Sequence, residues 1–256
     1  MAIVPHSIVA APEPRGLRYG LLTAAGGPAD LPAPAGRGGG VQYEPVSTGF
    51  ARLYPVDCDA PPPARIFDPA DPWVTADPMI AYATRTCSTV GTTPDDEERK
   101  VARRLANGEQ SIAEQALTAI LASAGGPALT PPRPEAIWSV IGELEQWLYG
   151  QDGAHYGNVG MLHVPFRYIQ MIEPDRDGRV LRTKQGTVVV AGAYPDDGTI
   201  RISGQVTVWR SPEMSITPAT QVLDRTTNTY QLLAEREYAI AFDLVTASAA
   251  FQETTP

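Results

Sequence analysis

The stretch TPDDEERKVARRLANGEQSIAEQALTAILASA, from Thr93 to Ala124, predicts a single long helix. Thr93 is a good N-cap, Pro94 suits the first helical position, and Asp96 stands three residues after the cap, where a capping box places its second side chain. At about 1.5 Å per residue the helix is roughly 45 Å long, so it needs an extended surface to pack against. Apolar residues recur along one face, and a Gly-Gly-Pro stop follows: Val101, Leu105, Ile112, Ala116, Ile120 and Leu121, then Gly125 to Pro127.

Charged residues crowd the first half of this helix. Acidic residues fill its first turn, where the helix dipole favours negative charge. Asp95 with Arg99 and Asp96 with Lys100 have the i,i+4 spacing of helical ion pairs. A basic stripe follows, which we interpret as a solvated face, or alternatively as a partner for an acidic neighbouring subunit: Arg99, Lys100, Arg103 and Arg104.

The composition excludes several classes of protein. The chain has 256 residues, 43% of them hydrophobic, and a net charge of -9, which argues against a protein that grips nucleic acid by its phosphates. The start, MAIVPHSIVAAPEP, has no basic region and only a short apolar run, so we expect neither a signal peptide nor a membrane span. Cys58 and Cys87 are expected to be buried, reduced thiols.

The first 72 residues are rich in Pro and Gly. Residues 1–40 have no helical or alternating period, and we expect an arm that becomes ordered only on neighbouring molecules. Residues 41–72 predict a long two-stranded excursion that lies on another surface, because an isolated hairpin is marginally stable in water. No helical segment is predicted before residue 41.

The rest of the chain predicts further elements around the long helix. Trp73 to Tyr82 is expected to enter the core as a strand, with Val74, Met79, Ile80 and Tyr82. A second amphipathic helix is predicted over Glu135 to Tyr149, with these inner residues: Ile137, Trp138, Ile141, Leu144, Trp147 and Leu148. A short helix is predicted at Pro165 to Ile172. Four shorter strands are predicted at Asn158 to Val164, Arg179 to Leu181, Thr187 to Ala193 and Gly204 to Trp209. The last two of these strands lie on either side of a predicted turn at Asp196 to Gly198. Tyr230 to Leu244 alternates as one long strand, with Tyr238, Ile240, Phe242 and Leu244 on one face.

The sequence predicts no catalytic residue, no cofactor-binding residue and no metal ligand. His6, His155 and His163 lie on different elements without ligand spacing, so a structural role is expected for each. The glycine-rich run Gly36 to Gly40 lacks the Lys-Ser/Thr of a phosphate loop and is interpreted as a hinge. The four tryptophans are expected to be core or interface anchors: Trp73, Trp138, Trp147 and Trp209.

Six stretches, in this order, carry a resemblance to a known family: WVTADPMIAYATRTCSTVG (Trp73 to Gly91), ANGEQ (Ala106 to Gln110), GNVGMLHVPF (Gly157 to Phe166), GRVLRTKQGTVVVAGAYP (Gly178 to Pro195), GQVTVWRSP (Gly204 to Pro212) and DRTTNTYQLLAEREYAIAFD (Asp224 to Asp243). Together with the arm, the excursion, the long helix and the last strand, they resemble the major capsid protein of tailed bacteriophages. This family has the HK-ninety-seven-like coat fold, which encapsulin shells share. The sequences of the six stretches are most similar to those of coat proteins from phages that infect actinobacteria.

The resemblance implies an α+β fold made of named parts. Residues 1–40 would be the N-arm and 41–72 the extended E-loop hairpin. Residues 73–130 would be a peripheral domain that contains the spine helix, Pro94 to Ala122. Residues 131–210 would be a compact α/β axial domain, and 211–256 would return to the peripheral domain.

The resemblance also implies function. It implies a structural protein, not an enzyme, that self-assembles into the pentamers and hexamers of an icosahedral head, encloses double-stranded DNA without sequence-specific binding, and needs no cofactor and no membrane. The virion would be its location, and the host bacterial cytoplasm the place of assembly. Its partners would be copies of itself, with scaffolding, portal and decoration proteins as further candidates. Contacts between subunits are expected on the basic stripe (Arg99, Lys100, Arg103, Arg104) and on Tyr43, Phe50 and Tyr54.

Two departures from the family bear on assembly. Some coats of this family join subunits through a lysine-asparagine isopeptide bond, but the only lysines here are Lys100 and Lys184, so we expect a non-crosslinked shell. Some members carry an N-terminal scaffolding segment, and we expect none before residue 41.

Three alternatives stay open. Another virion component, such as a decoration, neck or tail protein, would share the acidity and the strands. An encapsulin-type compartment shell would enclose cargo in place of DNA. An enzyme would require an enclosed pocket that joins His155 or His163 to a carboxylate.

Overall fold

The computed structural model describes residues 18–32, 40–45, 73–88, 91, 93–150, 152–218 and 223–253. The helices are α1 (Leu21–Ala24), α2 (Pro94–Ser123), α3 (Ile137–Tyr149) and α4 (Ile169–Ile172), the last preceded by a 3₁₀ turn, Phe166–Tyr168. The strands are β1 (Ala29–Asp30), β2 (Val41–Tyr43), β3 (Val74–Ala76), β4 (Pro78–Ser88), β5 (Ala128–Leu129), β6 (Met161–Pro165), β7 (Asp175–Asp177), β8 (Val180–Arg182), β9 (Val188–Gly192), β10 (Thr199–Ser203), β11 (Val206–Arg210), β12 (Ser215–Ile216), β13 (Leu223–Asp224), β14 (Thr229–Phe242) and β15 (Thr246–Ala250).

Within the described residues, one large sheet is built around β14. It has six strands in the order β1-β11-β14-β12, and β13 and β4 also pair with β14. Strand β4 is antiparallel to β14 from Pro78 opposite Ala239 to Ser88 opposite Thr229. Helix α2 packs along β4 and β14. This six-stranded sheet is therefore the extended surface that the long helix needs.

A second sheet has seven described strands in the order β5-β15-β10-β6-β9-β8-β7. Its central strands β6 and β9 are parallel and buried on both faces, which explains why their sequences are apolar apart from His163. In β9, Val188 and Val190 face a core that includes α2, whereas Val189 and Ala191 face a core built on α3. This seven-stranded sheet is thus sandwiched between the two cores.

The predicted long helix is confirmed, but its buried face differs from the predicted stripe. Thr93 caps it by accepting a hydrogen bond from the Asp96 amide at 3.3 Å. Val101, Leu105 and Leu121 are buried, whereas Ile112 is 37% exposed. The buried face carries carboxylates, which an apolar pattern cannot reveal. The ion pairs also have i,i+3 spacing, Arg99 with Asp96 and Lys100 with Glu97, and the predicted i,i+4 pairs are wrong.

Strand β4 and helix α3 form where the sequence predicts a strand and a helix, but some faces are reversed. Ile80 and Tyr82 are 51% and 63% exposed, because Ala81 is the buried residue of this alternating strand. Trp138 is 65% exposed, and Val140 occupies the buried position instead. The predicted inward orientation is therefore wrong for these three large side chains.

The end of the chain contains strands that the pattern did not predict. Long strand β14 is confirmed, but it ends at Phe242 and leaves Leu244 51% exposed. The turn at Asp196 to Gly198 leads from β9 into β10, not directly into Gly204 to Trp209. Strands β10 and β15 pair with each other in the seven-stranded sheet. The proposed division into domains stays a prediction.

The N-terminal arm differs most from its sequence prediction. Residues 18–32 pack on their own subunit: Leu21 and Leu22 of α1 are fully buried in the core beside α2, and β1 pairs in parallel with β11. The expectation of an arm ordered only by neighbours is wrong for this segment. The expectation of no helical residues before 41 is also wrong. Two adjacent leucines carry enough apolar surface to anchor so short a helix.

The excursion is described only at its base. Strands β2 and β3 pair antiparallel, with Val41 opposite Ala76 and Tyr43 opposite Val74, so the two ends of the excursion lie side by side. Phe50, Tyr54 and Cys58 lie outside the described residues. Cys87 is a free thiol, as expected, but it is only half-buried. Among the described residues, no helix combines the length and apolarity needed to cross a bilayer.

Candidate assembly surfaces and their supports

Helix α2, described along its whole length, buries three carboxylates: Glu97, Glu109 and Glu114, which are 1%, 3% and 0% exposed. A buried carboxylate is costly unless charged or N–H groups pair with it. Each of these three receives its partners from a different part of the fold. The sequence analysis did not single out Glu109 or Glu114, because their spacing matches no motif.

Glu114 joins three segments of the chain. Its Oε1 accepts hydrogen bonds from Arg18 Nη1 at 3.1 Å and from the Leu21 amide at 3.3 Å. Its Oε2 accepts from Arg18 Nη2 at 2.9 Å and from the Ala193 amide at 2.6 Å. The bidentate pairing with Arg18 is the strong, directional form of a guanidinium-carboxylate contact. One side chain therefore holds α2, the arm and the end of β9 together.

Two glycines permit this close approach. A Cβ on Gly20 would lie 2.0 Å from Gln110 Nε2 and 2.4 Å from Glu114 Oε1. A Cβ on Gly192 would lie 2.6 Å from Glu114 Cδ. The absence of a side chain at both positions lets the backbone approach the carboxylate this closely, and a Cβ at either position would force Glu114 to shift.

Glu109 ties α2 to the six-stranded sheet. It accepts hydrogen bonds from Arg210 Nη1 of β11 at 3.1 Å and from Arg236 Nη1 of β14 at 2.8 Å. Burial, followed by the nearby Glu109 charge, raises the pKa of Tyr238 well above its usual value. Tyr238 is therefore a neutral phenol beneath this ion-pair cluster.

The basic stripe is largely engaged within its own subunit. Lys100 pairs with buried Glu97, and Arg99 pairs with Asp96. Arg104 Nη1 donates to the Thr84 carbonyl at 2.8 Å, which joins the helix to β4. Arg103 is half-buried. The structure thus gives three of the four side chains internal partners, and a role against a neighbouring subunit stays a prediction.

Tyr43 anchors the base of the excursion. Its hydroxyl donates to the Phe242 carbonyl at 2.9 Å, and its ring lies 5.9 Å from the ring of Trp209. Burial raises the pKa of this tyrosine. The residue fastens the excursion to β14, and its role between subunits stays a prediction.

Several large apolar side chains are exposed on the described surface. Trp73 and Trp138 are 62% and 65% exposed, and Trp138 is accompanied by the Arg133 guanidinium at 5.9 Å. Tryptophan and arginine are enriched among the residues that dominate protein interfaces. Trp73 and Trp138 are therefore the two tryptophans left accessible to a partner, since Trp147 and Trp209 are half-buried, and an interface role for them stays a prediction.

A cluster of hydrogen bonds fixes the point where the chain passes between the sheets. The Gly204 amide donates to the Val245 carbonyl at 2.8 Å, and the Asp243 amide donates to the Gln205 carbonyl at 3.0 Å. The Tyr156 hydroxyl donates to the Asp243 carboxylate and accepts from the Gln205 amide at 2.9 Å. The β10–β11 and β14–β15 connections are thus bound to each other.

His163, the buried one of the two described histidines, has hydrogen-bonding partners on both ring nitrogens. His163 Nδ1 lies 3.0 Å from the Tyr194 hydroxyl, and Nε2 lies 2.8 Å from Ser203 Oγ. Burial, and secondarily the charge of Arg201, lowers its pKa to about 3. His163 is therefore neutral and held on both sides.

The groove beside α3 holds a buried carboxylate but no described histidine. A groove of about 910 Å³ runs beside α3 and contains Glu145, but neither His155 nor His163 lines it. Glu145 is buried and accepts hydrogen bonds from Thr183 at 2.5 Å and Thr187 at 2.6 Å. Among the described residues, no group of three or more His, Cys, Asp or Glu side chains is placed to hold a metal ion.

Comparison with known proteins places the fold. No protein-family model matches the sequence, and no curated protein does. The chain is similar to a solved capsid of an empty GTA particle, with 12% identity and a TM-score of 0.57 over 97% of this chain and 95% of that one. It is similar to a Microbacterium phage Oxtober96 structure, with 10% identity and a TM-score of 0.56 over 97% and 96%. It is also similar to the mature capsid of bacteriophage PhiM1, with 10% identity and a TM-score of 0.50 over 99% and 93%.

These likenesses extend over nearly the whole of both chains while almost no sequence is shared, so they report on the fold. The sequence resemblance predicted an α+β fold of the phage coat type, and that prediction is confirmed. The chain has the fold of phage capsid proteins.

Proposed function

We propose that this chain is a structural capsid subunit that self-assembles into a closed shell and performs no catalysis. The observation that supports it is the similarity to the capsid chain of the empty GTA particle, which covers 97% of this chain and 95% of the GTA chain. A match over nearly the whole chain takes in the long helix and both sheets, and not merely a shared motif.

The described surface supports self-assembly. Trp73, Tyr82 and Trp138 leave more than half of each side chain in water. An aromatic side chain buries about 150–250 Å² when fully covered, and each Å² of apolar area contributes about 25 cal/mol. Burial of these three rings against sister subunits stabilises an assembly by several kcal/mol per subunit before the entropy of association is subtracted.

The finer proposal is a virion head built of pentamers and hexamers, assembled in the host bacterial cytoplasm around double-stranded DNA. The net charge of -9 opposes tight binding of the subunit to the phosphates of the enclosed DNA. Scaffolding, portal and decoration proteins are the further partners. The basic stripe with Tyr43, Phe50 and Tyr54 contributes to contacts between subunits.

Electron microscopy of the purified protein tests the proposal. We expect closed shells, or free hexamers and pentamers that close when the protein concentration is raised. A protein that stays monomeric under all conditions would contradict it. Open tubes or rings that never close would instead indicate another virion component.

The proposed shell is not covalently crosslinked. The chain has two lysines, Lys100 and Lys184, whose amines pair with Glu97 and with Asp175 at 2.6 Å. Assembled particles boiled in detergent should therefore give a single band at the 27.4 kDa monomer mass. A ladder of higher bands would contradict this part of the proposal.

A further inference from the structure

Glu114 lies where the two sheets of the fold are joined. The six-stranded and seven-stranded sheets are not hydrogen-bonded to each other along any described strand. On one side they are joined by the short connections at Gly204–Gln205 and Asp243–Val245, which are bound to each other and to Tyr156. At another point they are joined through Glu114, which belongs to the helix of one sheet and holds the Ala193 amide after β9 of the other.

The arm completes this second attachment. Leu21 and Leu22 insert into the core between α2 and strands β8 and β9, and both are fully buried. Arg18 supplies the positive charge that Glu114 needs in its buried position, and the Leu21 amide adds a further hydrogen bond. Helix α1 therefore fills the gap between the two sheets, and the carboxylate fixes it there.

We propose that Arg18, Gly20 and Leu21 closed on Glu114 form a latch that sets the angle between the two sheets, with the Gly204/Asp243 connections as the hinge. An opened latch leaves Glu114 without its cation and leaves two leucines in water. Both effects oppose opening in the free subunit. With the latch open, α2 is still joined to the seven-stranded sheet by its short connection to β5 and by the apolar core that it shares with Val188 and Val190 of β9. Apolar packing is non-directional, so the sheets then shift about the hinge.

The latch has a consequence for the shell, and this part rests on the proposed function. Subunits in pentamers and hexamers meet their neighbours at different angles. A subunit whose two sheets are locked at one angle presents its contact surfaces in one relative orientation. Closure of the latch thus selects the curvature at which subunits join.

A glycine substitution crowds the latch without altering its charged residues. In Gly20→Ala the new Cβ would lie 2.0, 2.4 and 2.8 Å from Gln110 Nε2, Glu114 Oε1 and Arg18 Nη1, so these side-chain ends must move away from the arm backbone. The matched control is Gly142→Ala, because a Cβ at Gly142 of α3 meets nothing within 4 Å. Arg18→Gln is the second latch variant, since it removes the cation without adding bulk to the site.

The measurements use unassembled full-length subunits, so that they do not depend on shell formation. Spin labels at Thr86→Cys on β4 and Lys184→Cys beside β9, in a Cys58→Ser, Cys87→Ser background, report the distance between the sheets. Amide hydrogen exchange reports whether residues 21–24 are docked. We expect one narrow distance in the parent and in Gly142→Ala. We expect a shifted or broadened distance and about tenfold or more faster exchange of residues 21–24 in Gly20→Ala and Arg18→Gln.

Two results would overturn the latch. One is an unchanged distance in both latch variants although the arm amides exchange faster, which would mean that the arm does not set the angle. The other is an unchanged exchange rate in Arg18→Gln. If Gly20→Ala does not fold, Arg18→Gln alone decides. Failure of the protein to form shells leaves these measurements intact, so the latch and the proposed function fail separately.

Discussion

At the scale of single residues, the stability of this fold depends on buried charges that have partners. Glu109 is 3% exposed and binds two guanidinium groups from two strands. Glu109→Gln leaves Arg210 and Arg236 without an anion, and breaking a buried pair in this way costs about 3 kcal/mol. We expect a clearly lower urea midpoint for this variant. Asp175→Asn is the matched control, because its pair with Lys184 is exposed on both sides and should change the midpoint far less.

His163 predicts a specific acid sensitivity. Its pKa falls from 6.5 to about 3 on folding because the ring is buried. The unfolded chain therefore binds a proton that the folded chain does not between these values, so stability is full above pH 6.5 and is lost as the pH falls towards 3. The loss is about 1.4 kcal/mol per pH unit. His163→Gln should lack this component, so the gap in unfolding free energy between parent and variant should narrow from pH 7 to pH 4. A gap that stays constant with pH would contradict the assignment.

At the scale of elements, the arm is the part whose observed packing differs most from the sequence prediction. Leu21→Ala empties a fully buried position in the core beside α2, and such truncations cost about 2–5 kcal/mol. We expect the isolated subunit to lose stability by this amount in chemical denaturation. The control is Leu244→Ala, whose side chain is 51% exposed. Equal stability of parent and Leu21→Ala would show that the arm is not part of the free subunit's core.

The elements found from the sequence are those with local signals. The long helix has a cap, a proline at its first position and a glycine stop, and β14 alternates over its length, so their types follow from neighbours in the chain. Strands β10 and β15 have weaker patterns, and they are strands because each pairs with the other. The sequence likewise did not reveal that the side chains of Trp138 and Ile80 face outward, because both residues fit the apolar periodicity of an inward-facing position.

At the scale of the whole molecule, the exposed tryptophans separate folding from assembly. Trp138 is 65% exposed, so Trp138→Ala should change the unfolding midpoint of the free subunit little. Because a large exposed ring of this kind is a preferred interface anchor, we expect fewer or no shells by electron microscopy. Gln146→Ala, at an exposed position further along α3, is the control. Normal shells from Trp138→Ala would remove this residue from the interface.

The sequence alone determined the long helix, the long strand β14 and the resemblance to phage coats, because each rests on residues that are close in the chain or on the order of elements. The tertiary structure alone decided that residues 18–32 belong to their own subunit and that Glu109 and Glu114 are structural centres. Arg18 and Glu114 are 96 positions apart, and Arg236 and Glu109 are 127 positions apart. A glutamate on a helix is normally a solvated residue, and only distant partners brought together by the fold make its burial favourable.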